Sequence, residues 1–212
     1  MTFVLGLTGS IGMGKSATAA MFRARGVPVH DADAAVHSLY RGEAAPLIEA
    51  AFPGTVIDGV VERGKLGPRV IGQPSQLKRL EEIVHPLVRQ AERDFLEAAV
   101  RAGHPIAVLD VPLLLETGGE ARCDAVLVVT APTEVQRARV MARPGMTEAT
   151  LAAVLAKQMP DAEKRRRAHF VVDTGHGYPH AEAQICAILR ALAGRPGGVR
   201  RRAGMSLDGG EG

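Results

Sequence analysis

The run Gly9-Ser10-Ile11-Gly12-Met13-Gly14-Lys15-Ser16 carries the sharpest chemical signal in this chain of 212 residues. Its spacing, G-x-x-x-x-G-K-[ST], is that of a loop whose backbone wraps the phosphates of a nucleotide. Glycines let the chain turn tightly and aim successive N–H groups inward. A helix that begins where such a loop ends adds its partial positive charge to the cradle. Lys15 is then placed to reach the β- and γ-phosphates, and the Ser16 hydroxyl to ligate Mg²⁺. Lysine is rare here, occurring only at Lys15, Lys65, Lys78, Lys157 and Lys164, so its presence at this position is not compositional noise. The loop identifies a nucleotide and not a reaction. A guanine-reading switch protein would use an Asn-Lys-x-Asp loop, and the chain contains no asparagine.

Carboxylates and arginines supply the other chemistry. His30-Asp31-Ala32-Asp33 follows an apolar run, at the strand end where α/β folds place ligands. One of the two acids can face the phosphate site while the other holds the loop. The competing reading is an Asx turn or helix cap before Ala34. Asp110 closes the apolar stretch 105–110, like the strand that carries a second Mg²⁺ contact in phosphate-loop enzymes. The competing reading is that Asp110 merely caps the strand's end. Positive charge is local. Residues 137–167 sum to +5 and residues 194–212 to +2, so the rest of a chain with net +3 sums to −4. That pattern suits a compact anion better than a nucleic-acid coat. With aromatics at 3% and no Trp, base-stacking platforms are also disfavoured.

Taken in order, the 9–16 loop, Asp31-Ala32-Asp33, His85-Pro86, Asp110-Val111-Pro112-Leu113-Leu114-Leu115-Glu116, the 139–147 stretch, Gln158 and Phe170-Val171-Val172-Asp173 resemble the dephospho-CoA kinases. The resemblance spans roughly residues 3–192. It implies ATP-dependent phosphorylation of the ribose 3′-hydroxyl of dephospho-CoA, on a P-loop kinase core with a helical CoA-binding insertion and a mobile lid. Carried over residue by residue, it makes Asp33, Lys15 and Arg139 the catalytic set. Gly12, Met13, Gly14, Lys15, Ser16 and Ala17 would bind the nucleotide, with Arg139 and Arg143 on phosphate and adenine. Thr8, Asp33, His85 and Leu113 would meet the acceptor, and Ser16 the Mg²⁺. The implied partners are ATP and dephospho-CoA, with no nucleic acid and no membrane. Ala17 departs from the family in standing where a hydroxyl residue is usual, and His169 where an acid is common. The alternatives are another small-metabolite or nucleotide kinase of the P-loop class, and a nucleotide-binding regulatory module.

The elements that must position these residues alternate. Apolar runs at 3–8, 27–30, 105–110, 124–130 and 169–173 read as strands. Patterns at 14–25, 75–102, 133–142, 148–157 and 180–193 read as helices. Pro86 is expected to bend or break the second helix after Val84. The expected fold is α/β, a P-loop kinase fold whose parallel five-stranded sheet is flanked by helices. A single domain, 1–193, is expected, with its core at 1–33, 104–136 and 169–193. An acceptor-binding insertion spans about 34–103, an Arg-rich lid about 137–168, and a flexible tail 194–212. Two cysteines, no basic leader at the start and no apolar run of about 18 residues point to a soluble, cytoplasmic protein.

Overall fold

A computed structural model describes residues 1–198. Residues 199–212, most of the expected tail, lie outside the described residues. β1 (Phe3–Thr8) is buried along its whole length, as a strand covered on both faces must be. The five-stranded sheet has the order β2-β5-β1-β6-β7, formed by β2 (Val29–Asp31), β5 (Ile106–Asp110), β6 (Ala125–Thr130) and β7 (Phe170–Asp173) around β1. β1 runs parallel to both neighbours, with Leu7 opposite Asp110 on one side and Thr8 opposite Val128 on the other. That register delivers the acid at the end of β5 beside the strand that feeds the phosphate loop. α1 (Lys15–Arg23), α6 (Thr133–Met141) and α9 (Tyr178–Leu192) follow. Leu5, Leu7, Phe22, Leu127 and Ile185 are wholly buried in one apolar cluster. The five expected strands and the helices around them are present, with ends moved by a residue or two.

The chain divides into two compact units, Met1–Val29 with the residues from Ala99 onward, and His30–Ala98. The second holds α2 (Ala32–Leu39), α3 (Ala44–Ala51), a hairpin of β3 (Val56–Ile57) and β4 (Val60–Val61), α4 (Arg63–Val70) and most of α5 (Pro74–Arg101). Ile48, Phe52, Val61, Leu66, Leu80 and Val84 form its core. The Glu49 carboxylate accepts N–H groups from Gly54, Thr55 and Val56 at 2.6, 3.2 and 2.9 Å. Those bonds, the one from Gly54 foremost, hold its carboxyl below the ordinary value of 4.5.

Of the bend or break expected at Pro86, the break does not occur: α5 is one helix of 28 residues. Pro86 removes the N–H that would bond the carbonyl of Glu82, but both residues are exposed, so water can serve that carbonyl. Leu80 and Val84 before the proline, and Ala99 beyond it, are buried, and packing on both sides of Pro86 outweighs the lost bond.

The presumed lid contains α7 (Glu148–Leu155) and α8 (Asp161–Arg167). Within the tail expected to be flexible, residues 194–198 are instead tied down. The Gly198 N–H donates to Asp124 Oδ1 at 2.7 Å, while Asp124 Oδ2 accepts the Val4 N–H at 2.9 Å. One carboxylate thereby joins the start of β1 to the segment after α9.

Candidate active site

The phosphate loop is glycine-bound by geometry. Gly12 and Gly14 have φ of 77° and 95°, a region other residues enter only with strain. A Cβ on Gly12 would come 2.6 Å from Val140 Cγ2, and one on Gly14 would come 3.0 Å from Thr174 Oγ1. Gly14 is the N-cap of α1 and offers no side-chain cap, so the first N–H groups of the helix are left for an anion.

Tertiary polar bonds hold the loop from behind. Ile11 is gripped at both ends of its backbone: its N–H donates to Gln158 Oε1 at 3.1 Å and its carbonyl accepts from Gln136 Nε2 at 2.7 Å. The Thr174 hydroxyl donates to the Met13 carbonyl at 2.8 Å, and the Ala131 N–H donates to Met13 Sδ at 3.1 Å. Lys15 Nζ lies 2.6 Å from Asp110 Oδ1. Asp110 is only 2% exposed, so a charge-assisted bond there is strong. Ser16 and Ala17 follow on the first turn of α1, Ser16 exposed and Ala17 half-buried. The Ser16 hydroxyl and Asp110 carboxylate are hard oxygen donors, the chemistry Mg²⁺ prefers when substrate phosphates complete its shell.

Arg139, on α6, directs both terminal nitrogens at Thr174, 2.8 Å from its Oγ1 and 2.8 Å from its carbonyl oxygen. A guanidinium carries five N–H donors, so others are available to a ligand. Arg143 lies exposed just beyond α6. Arg137 pairs with Glu148 of α7. Three of the α8 cations are held in ion pairs. Lys164 is wholly buried with its Nζ 2.7 Å from Glu116 Oε1, Arg165 pairs with Asp161 at 2.9 Å, and Arg167 pairs with Glu120. A 0% exposed ammonium costs too much to leave without a carboxylate, so Lys164 anchors the fold and does not face solvent.

The residues expected to meet the acceptor sit more openly. Thr8 is the exception: it is buried, and its hydroxyl donates to the Pro112 carbonyl at 2.9 Å. Leu113 is 40% exposed beside the wholly buried Leu114. In the second unit the two aspartates are placed differently. Asp31 caps α2, Oδ1 accepting the Ala34 N–H at 3.0 Å, and the helix begins at Ala32 and not at Ala34. Asp33 stands exposed in the first turn, and His85 is exposed on α5. His30 is buried with its ring 5.2 Å from that of Phe95, and burial lowers its pKa from 6.5 against the pull of Glu92 and Asp31. The structure thus brings Gly12, Met13, Gly14, Lys15, Ser16, Asp110 and Arg139 together within one unit, while Asp33 and His85 belong to the other.

Thr174 and Gln136 are absent from the sequence-based candidates. One signal was available for Thr174: it follows the last apolar strand directly, at the carboxyl edge where Thr8 and Asp110 also end their strands. Gln136 gives only the signal of a polar residue one turn before Arg139 on α6.

A phosphate loop between a buried parallel strand and a helix, with its lysine held by an acid from the neighbouring strand, defines a P-loop nucleotide-dependent enzyme. The family model described as dephospho-CoA kinase matches residues 3–179. The chain belongs to the dephospho-CoA kinase family. It is 65% identical over 194 residues to a dephospho-CoA kinase of Mesorhizobium japonicum, covering 92% of this chain and 98% of that protein. A dephospho-CoA kinase of Rhodopseudomonas palustris is 60% identical over 199 residues, with 94% and 98% covered. A solved protein of Thermus thermophilus superposes with a TM-score of 0.78 at 37% identity, covering 90% of this chain and 97% of that one.

Proposed function

We infer that the chain transfers the γ-phosphoryl group of ATP to the ribose 3′-hydroxyl of dephospho-CoA, yielding CoA and ADP in the last step of coenzyme A biosynthesis. The observation that carries this reading is the family match across residues 3–179, joined to a complete phosphate loop with Lys15 held on Asp110. The hydroxyl oxygen forms the new bond to the γ-phosphorus as the bond to the β–γ bridging oxygen breaks on the opposite side, and the hydroxyl proton departs. In a loose transition state that proton leaves late, so orientation of the hydroxyl counts for more than basicity. Asp33 would orient the acceptor hydroxyl, supported by its exposure beside an Asp31 already committed to capping.

Lys15 has three N–H donors and would give those not spent on Asp110 to β- and γ-oxygens. The N–H groups of residues 12–17 would cradle the phosphates. Arg139 and Arg143 would meet phosphate and adenine, Arg139 with its plane set by Thr174. Thr8, His85 and Leu113 would shape the acceptor site. Ser16, with Asp110, would hold Mg²⁺, which when bound neutralises charge on the phosphoryl oxygens. No described helix is long and apolar enough to cross a membrane. A cytoplasmic setting is supported by a chain with just two cysteines, buried Cys123 and half-buried Cys186, as suits a reducing compartment.

The test is a direct assay with ATP, Mg²⁺ and a panel of dephospho-CoA, nucleosides and nucleoside monophosphates. Stoichiometric CoA and ADP from dephospho-CoA is the expected result. Preference for a nucleoside or nucleotide acceptor overturns the acceptor assignment, and ATP binding without turnover on any acceptor points to a regulatory module.

A further inference from the structure

A buried ion pair outside the phosphate loop reaches it in three steps. Glu116, after β5, places Oε1 2.7 Å from Lys164 Nζ on α8 and accepts the Met159 N–H on the same oxygen at 2.9 Å. Burial alone would raise this carboxyl. The Lys164 bond and the Met159 N–H outweigh it and leave the group below its ordinary value of 4.5, so it is ionised in the folded protein. Met159 is joined to Gln158, whose Oε1 accepts the Ile11 N–H of the phosphate loop at 3.1 Å. At its other end α8 is pinned again, by Arg167 on Glu120, and Asp161 in its first turn accepts the Thr130 hydroxyl at 2.9 Å.

A buried ion pair is a poor source of net stability, because desolvation offsets most of the Coulomb gain. Its retention at a wholly buried lysine therefore asks for another use. The short strap 158–160 has no regular structure. Its backbone bonds locally, the Gln158 N–H to the Leu155 carbonyl and the Pro160 carbonyl to the Glu163 and Lys164 N–H groups. Beyond these, the Met159 N–H on Glu116 ties the strap to a distant segment, and Gln158 reaches the Ile11 N–H from it. The local bonds tie the strap only to α7 and α8, so the Glu116 bond is what sets Gln158 against the core.

We propose that Glu116 and Lys164 are positioning residues for nucleotide binding: together they fix the 158–160 strap so that Gln158 holds the Ile11 peptide, and with it the phosphate loop, in register. The inference rests on the reading of the 9–16 loop as the ATP site. On this reading α8 and the strap are a fixed brace on the core.

The experiment measures ATP dissociation constant, KM for ATP and for dephospho-CoA, kcat and Tm on the full-length protein. Gln158→Leu removes the acceptor but no buried charge. It should raise the ATP dissociation constant and KM about five- to tenfold, the worth of one hydrogen bond to a loop N–H. Its Tm, kcat and KM for dephospho-CoA should stay close to wild type, and Gln158→Glu, which keeps an acceptor oxygen, should recover most of the loss. Lys164→Met should raise ATP KM similarly while lowering Tm, and adding Gln158→Leu to it should bring little further rise. Should Lys164→Met fail to fold, Glu116→Leu/Lys164→Met removes both charges and is expected to fold. It lacks the Met159 anchor, so its ATP KM should stay raised although its Tm recovers.

The proposal is overturned if Gln158→Leu binds ATP as wild type does. It also falls if KM for dephospho-CoA rises in place of that for ATP, or if ATP KM recovers along with Tm in the double variant, the behaviour of a purely structural pair. Wild-type protein that fails to bind ATP overturns the reading of the loop itself, a distinct result visible before any variant is made.

Discussion

The phosphate loop and three of the residues proposed to meet the acceptor, Asp33, His85 and Leu113, are built on opposite plans. Ile11, Met13 and Lys15 each carry a polar bond to a distant part of the chain, through Gln136 and Gln158, Thr174, and Asp110. Asp33, His85 and Leu113 are exposed. The difference follows from which atoms do the binding. A phosphate is held by backbone N–H groups, whose aim is set only by fixing the chain itself, so the fold braces the loop from three sides. An acceptor met by side-chain tips needs rotamer freedom and an open approach. Precision is built in where the backbone is the ligand, and access is preserved where side chains are.

The strongest way to break the braced side is at Lys15. Lys15→Met removes a cation expected to face developing phosphoryl charge, and kcat/KM should fall about 10³-fold, the scale of losing one preorganised electrostatic contact. It also strips the ammonium from a nearly buried carboxylate, so Tm should fall with it, by about 3 kcal/mol of stability. Steady-state kinetics and thermal unfolding read the two effects separately. Activity within tenfold of wild type would remove Lys15 from the transition state.

The open side should lose chemistry without losing structure. Asp33→Asn is expected to lower kcat about 10²-fold, the scale of losing a well-placed carboxylate that orients the acceptor hydroxyl. Because Asp33 is exposed and Asp31 carries the cap, Tm and ATP affinity should hold. A matching loss in Asp31→Asn, with Asp33→Asn near normal, would exchange the roles of the pair.

The two plans also differed in how far they could be read from sequence. The loop was legible to the residue, because glycine at 12 and 14 records a backbone requirement that no other residue meets. The strands flanking it were legible because near-continuous apolar runs such as 125–130 leave little choice when both faces are covered. Asp33 was separable from Asp31 only through the family pattern, since i and i+2 acids before a helix serve equally as caps. The brace was not legible at all: Glu116 and Lys164 are 48 positions apart, and an arginine-rich segment reads as a solvated face until burial shows otherwise. Pro86 misled for a related reason, as local propensity predicts a break that packing at Leu80, Val84 and Ala99 overrides.

A gentler perturbation of the braced side sits at Thr174, which donates to the Met13 carbonyl and receives Arg139. Thr174→Val keeps the shape and deletes the hydroxyl. The ATP KM should rise about tenfold, as a buried carbonyl and a guanidinium each lose a partner, whereas Thr174→Ser should stay near wild type. An unchanged ATP KM in Thr174→Val would show that Gln136, Gln158 and Asp110 suffice to hold the loop.

In the second unit the comparison turns on pH. Glu49 gains three backbone N–H bonds on folding, which depress its carboxyl. A depressed folded pKa gives stability that is fully present above the unfolded value and is lost as pH falls through the folded one. The contribution of Glu49 to the unfolding midpoint should therefore be flat from pH 7 to about 5 and be lost below about pH 4. Glu49→Gln should lower the neutral-pH midpoint and flatten the acid limb, with kcat at pH 7 little altered. An acid limb of unchanged steepness in Glu49→Gln would assign it to other carboxylates, Glu116 among them, whose carboxyl is also depressed.

The smallest effect belongs to the chain's far end, which separates being tightly held from being needed for chemistry. Asp124 grips Gly198 on one oxygen and Val4 on the other, so the segment after α9 is braced much as the loop is, yet it bonds to the start of β1 and not to its end. Stopping the chain after Gly198 keeps that clamp, and kcat/KM should change by less than about twofold, as for surface changes remote from a site. Stopping it after Ala193 removes Gly197 and Gly198, and Tm should fall by about 3 °C for a bond worth about 1 kcal/mol, again with kcat/KM nearly constant. Activity lost in the longer truncation in step with Tm would mean that the grip on β1 is transmitted along the strand to Thr8 and the loop. Activity lost in the shorter one, with Tm intact, would mean that residues 199–212 act on substrate directly.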